Sequence, residues 1–121
     1  MIAPSIRELA AFDPQRFNAV TLAQTPHSKT MLVCLEPGQS IPVHHPGVDL
    51  ALLILEGRAT LVAGDQELAA AGPGAVMSIQ AGQPRGIKAE QRTLALVMVA
   101  PPPTAEDHRE VAEHLKTGTW R

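Results

Sequence analysis

The run His44-His45-Pro46-Gly47-Val48-Asp49 puts two imidazoles and a carboxylate within six residues. Converging on one point, they could hold a divalent cation, which takes three or four His, Asp or Glu donors at metal-ligand distance. They could equally share acid–base work, because imidazole titrates near neutrality. Neighbouring side chains of a strand point to opposite faces, so His44 and His45 can meet only if Pro46-Gly47 turns the chain. Arg85 is the fourth polar residue of interest. A guanidinium stays charged and has no free lone pair, so it cannot ligate a metal. Pointing inward, it would pair with Asp49 or receive a carboxylate or phosphate on its planar fork. Pointing outward, it would be solvated. No nucleophile with a sequence signature accompanies this set. There is no Gly-x-Ser-x-Gly, and "GPG" at 72–74 lacks the Lys-Ser/Thr of a phosphate loop. Catalytic residues therefore stay unassigned.

The elements that must position these groups are short. Apolar and β-branched runs fall at 20–25, 30–35, 50–55, 59–63, 67–70, 75–79, 85–89 and 93–99, with Gly and Pro breaks between them. That pattern predicts an all-β sandwich or barrel. "PPP" at 101–103 ends the last run, since proline cannot donate to a ladder. Thr104 and Asp107 then open a helix signature whose narrow apolar stripe is Val111, Ala112 and Leu115, and Gly118 would end it. The expected organisation is an N-terminal arm or short helix over 1–19, a β domain over 20–100 and a helix over 104–117. Ser5 with Glu8 could cap the short helix. His108 and His114 lie six apart in the later helix, which predicts surface positions, and Asp107 reads as a helix N-terminal charge.

Composition narrows the function classes. The chain has 121 residues, enough for one domain, with 45% hydrophobic residues and a net charge of -2. No basic block appears and only Phe12, Phe17 and Trp120 are aromatic, so nucleic acid is not an expected partner. No run approaches a membrane span and no signal peptide is visible. The lone Cys34 cannot form an internal disulfide and sits in the apolar run "MLVCL", which predicts a buried core thiol and a reducing compartment. A cytoplasmic location is the expectation.

From Gly38 to Ala89 the chain resembles the cupin family. Gly38, His44 and Gly57 match the first glycine, first histidine and last glycine of that family's first motif. Pro46 and Leu50 stand where its second histidine and glutamate belong. Gly74 and Gly82 match both glycines of the second motif, while Gln80, Arg85 and Ala89 replace its proline, histidine and asparagine. The resemblance implies a jelly-roll barrel, here with a short C-terminal helix, commonly dimeric and often holding one divalent metal. A register shift of one would let His45 take the second histidine's role, with Asp49 as the carboxylate. His44, His45 and Asp49 then form a donor set suited to Fe, Mn or Zn.

Three functions follow as expectations. In the first, the barrel binds a small molecule, an anion if Arg85 points inward, with His44, His45, Asp49 and Arg85 at the opening. In the second, it is a metal-dependent oxygenase or isomerase in which Arg85 steadies the substrate. In the third, it is a structural or regulatory module acting as a homodimer.

Overall fold

The computed structural model describes residues 1–121 as two antiparallel sheets and one C-terminal helix. The strands are β1 (Asn18–Gln24), β2 (Lys29–Leu35), β3 (Ser40–His44), β4 (Asp49–Glu56), β5 (Ala59–Ala63), β6 (Gln66–Ala71), β7 (Val76–Ile79), β8 (Arg85–Ala89) and β9 (Thr93–Ala100). The larger sheet runs β1-β2-β9-β4-β7 and the smaller β3-β8-β5-β6. Helix α1 (Arg109–Thr117) follows a 3-10 turn at Glu106–His108 and ends at Gly118 in the left-handed region. No helix is long and apolar enough to cross a membrane.

The expected jelly-roll barrel is corrected here: the sheets face one another but do not close. Strands β1 and β7 are free margins of the larger sheet, β3 and β6 of the smaller, and no pairing joins the two. The margins are occupied differently. On β3 the Val43 N–H donates to the Trp120 carbonyl at 2.7 Å, so the C-terminal tail takes a bond that barrel closure would otherwise use. Strand β6 is exposed at every position but Ala71, as its sequence "QELAAA" permits.

Two apolar layers hold the sandwich. Between the sheets lie Val33, Leu35, Leu52, Ile54, Leu61, Ile87, Ala95 and Val97, all buried. On the outer face of the larger sheet Leu32, Cys34 and Leu94 pack under Ile6, Leu9 and Phe12 of the N-terminal arm. The continuous run "MLVCL" is thus a strand buried on both faces, its side chains alternating between core and arm. Burial pushes the Cys34 thiol up, away from thiolate reactivity.

Candidate functional site

Strands β3 and β8 build the site. His44 and Arg85 are direct cross-strand partners, so their side chains rise from one face at neighbouring positions. Their approach depends on Gly86. A Cβ there would lie 2.8 Å from Val43 Cγ2 and 3.1 Å from the Val43 nitrogen. Gly86→Ala is therefore expected to lower the denaturation midpoint by about 1–3 kcal/mol equivalent, because β3 must move off β8. An unchanged midpoint would show that β3 yields freely.

Both side chains line a cavity of about 120 Å³ between the sheets. Its walls are mostly apolar and include Met31, Val33, Ile41, Val97 and Val99. Pro103, Asp107, His108 and Val111 from the C-terminal segment form its remaining side.

Arg85 is 1% exposed. Its Nε donates to the Gln83 carbonyl at 3.3 Å and its Nη2 to the Gln80 carbonyl at 2.9 Å. Nη1 is buried with no partner at all. The five salt bridges of the chain all use other residues. Burial pushes the guanidinium below its ordinary pKa, and the fields of Asp49 and Asp107 pull it back up. Even so it remains a protonated group, because arginine does not give up its proton in proteins.

His44 is held in one tautomer. Its Nδ1 lies 2.8 Å from the Pro42 carbonyl, which can only accept, so Nδ1 carries the proton and Nε2 keeps its lone pair. Burial pushes its pKa down, and Arg85 and His108 add to that against the raising effects of the Pro42 bond and Glu110. His44 is thus a neutral acceptor at physiological pH.

His45 and Asp49 are placed elsewhere. The His45 ring and backbone N–H both meet the Glu110 carboxylate, with Nδ1 3.0 Å from Oε2, on the outside of α1. Asp49 is exposed, and its Oδ1 accepts from the Ala81 N–H at 2.8 Å. Of the four residues singled out by sequence, the structure brings together His44 and Arg85 only. No group of three or more His, Cys, Asp or Glu side chains gathers to hold a metal ion. Beside the fixed positive charge of Arg85 the cavity carries His44, His108 and an Asp107 carboxylate already engaged by two backbone N–H groups, and these do not gather as a set that fits a resident divalent cation.

The C-terminal residues on the cavity were not foreseeable as site residues. Asp107 accepts from the Thr104 and Gly47 N–H groups at 2.8 and 3.0 Å, tying the segment to the loop after β3. Those bonds hold its carboxyl below the ordinary range. Burial raises the Glu110 carboxyl, but its bonds from His45 outweigh that and leave it lowered. Both carboxylates therefore stabilise docking above the ordinary carboxylate pKa, and that contribution is lost as pH falls through their depressed values. Amide exchange in α1 is expected to accelerate in acid ahead of β2 and β9. Simultaneous loss of protection in helix and strands would count against a separately docked segment.

Residues 31–101, more than half of the chain, match the profile of the cupin domain. The chain belongs to the cupin family. No curated protein sequence matches it. Among solved structures this cupin is similar to TT1209 from Thermus thermophilus, at 31% identity and a TM-score of 0.76 over 84% of this chain and 98% of that one. It is similar to an RmlC-like cupin from Desulfovibrio desulfuricans at 30% identity and a TM-score of 0.72, again over 84% and 98%. A protein of unknown function from Streptococcus pyogenes, SPY1581, shares the fold at 20% identity, with a TM-score of 0.72 over 85% and 90%. The resemblance read from Gly38, His44, Gly57, Gly74 and Gly82 thus stands for family membership. In this cupin the position of the second motif's histidine is filled by a buried arginine.

Proposed function

We propose that this cupin binds a small anionic molecule in the cavity between its sheets, with Arg85 as the charged partner. One observation carries the reading: a fully buried guanidinium with an unpartnered Nη1 on the wall of an apolar cavity. A buried charge with no carboxylate in direct contact is costly, and a bound anion would offset that cost. His44 supports it with a fixed lone pair on the same wall, suited to a hydroxyl or N–H of the ligand. The C-terminal segment would exclude water once the ligand is in, which strengthens the charge interaction.

The test is an NMR titration of cavity methyls, Val33, Ile41 and Val97, with small organic acids and with their neutral amides at matched ionic strength. Acids are expected to shift these resonances in the millimolar range or tighter, about -4 kcal/mol or better, while amides do not. Amides that bind as well as acids would remove the guanidinium from the recognition.

A further inference from the structure

Charge alone does not choose between a phosphate and a carboxylate, but the rest of the cavity does. A phosphate group carries about -1.5 to -2 charge and three strong acceptor oxygens, which call for several converging donors. Here Arg85 Nη1 is the single buried side-chain polar atom left without a partner. The other two guanidinium nitrogens already donate to Gln80 and Gln83 carbonyls. The Asp107 carboxylate also lies on the cavity, which disfavours a second negative charge. One guanidinium charge with one wholly unpartnered nitrogen, beside a carboxylate, describes a site for a monoanion. The remaining walls are mostly hydrocarbon: Met31, Val33, Val97 and Val99 from the larger sheet, Ile41 from β3 of the smaller sheet, and Val111 from α1.

Size sets the body of that monoanion. An apolar protein cavity of about 150 Å³ accommodates one benzene. The cavity of about 120 Å³ is slightly smaller, which leaves room for roughly five or six non-hydrogen atoms. We infer that the ligand is a short aliphatic monocarboxylate of roughly three to four carbons, its head group on Arg85 and its hydrocarbon body against Val33, Ile41, Val97 and Val99. This inference rests on the reading of Arg85 as the partner of an anion. It adds the class and the length.

The experiment is a calorimetric or NMR titration of the full chain with propionate, butyrate, isobutyrate, hexanoate and inorganic phosphate, all as sodium salts at one ionic strength. Butyrate or isobutyrate is expected to bind at least about tenfold more tightly than hexanoate or phosphate. Val97→Leu, which adds one methylene to the wall, is expected to move the optimum to propionate in a protein of unchanged circular dichroism. Phosphate as the tightest ligand, lost in Arg85→Met, would overturn the carboxylate class and leave the anion reading standing. Hexanoate binding as tightly as butyrate would overturn the length. Saturation by none of these anions would overturn both.

Discussion

Gly57→Ala is expected to destabilise the protein by about 3–5 kcal/mol, enough to leave a marginally stable domain largely unfolded. Gly57 joins β4 to β5 at φ 94°, where an L side chain is strained. The space is closed as well: a Cβ there would sit 2.2 Å from the Arg92 carbonyl oxygen and 2.7 Å from Thr93 Cα. Those are backbone atoms at the start of β9 and cannot turn aside. Nor can the Thr93 hydroxyl, 2.6 Å away, since it donates towards the Gln91 and Arg58 carbonyls from a fully buried residue. The turn and the first residues of the central strand β9 would have to separate. Gly38→Ala is the control: its φ is 84° but nothing lies within 4 Å of the added carbon, so strain alone should cost about 1 kcal/mol. Urea midpoints of the two variants test the contrast. Equal losses would mean that backbone conformation, not the contact with β9, makes Gly57 necessary.

The strand pattern was legible because short apolar and β-branched runs are set apart by Gly and Pro breaks. Eight of the nine strands coincide with the apolar runs between Gly and Pro breaks. The exception is β3, "SIPVH", which Pro42 disguises. Proline is tolerated on an edge strand, and β3 is one. Closure was not legible, because apolar runs and their breaks report where strands lie, not whether a sheet's margins meet. The C-terminal tail's bond to Val43 comes from Trp120, far from β3 in the chain and without a local signal. Within the site, the direction of Arg85 was readable in part. In "RGIKA" the period of two sets Arg85 on the same face as the core residues Ile87 and Ala89, with Lys88 opposite and exposed. Both directions stayed open in the sequence, because Arg85 opens its strand and a long side chain there can bend out to solvent. The company of Asp107 and His108 at the cavity could not be read at all, since it depends on how α1 folds back after the prolines.

Arg85→Met is expected to abolish anion binding, by about 100-fold or more, while leaving the ligand-free protein as stable as before or more stable by about 1–2 kcal/mol. The two halves of this expectation have one cause. No carboxylate is in salt-bridge contact with the guanidinium, so the ligand-free fold sets the desolvation of a charge against two hydrogen bonds to carbonyls and the more distant fields of Asp49 and Asp107. Removing the charge together with its unmet N–H leaves an apolar side chain of similar length in an apolar cavity, a change that proteins tolerate well. The carbonyls that lose their donors belong to Gln80 and Gln83, both exposed, so water can replace Arg85 there. Arg85→Lys separates charge from geometry: it keeps the positive end but loses the planar fork, and weakened rather than absent binding is expected. Thermal unfolding of the three proteins with and without butyrate measures both quantities. A fall in stability of more than about 3 kcal/mol in ligand-free Arg85→Met would mean that the fold itself satisfies the guanidinium, leaving no unmet charge for a ligand to answer.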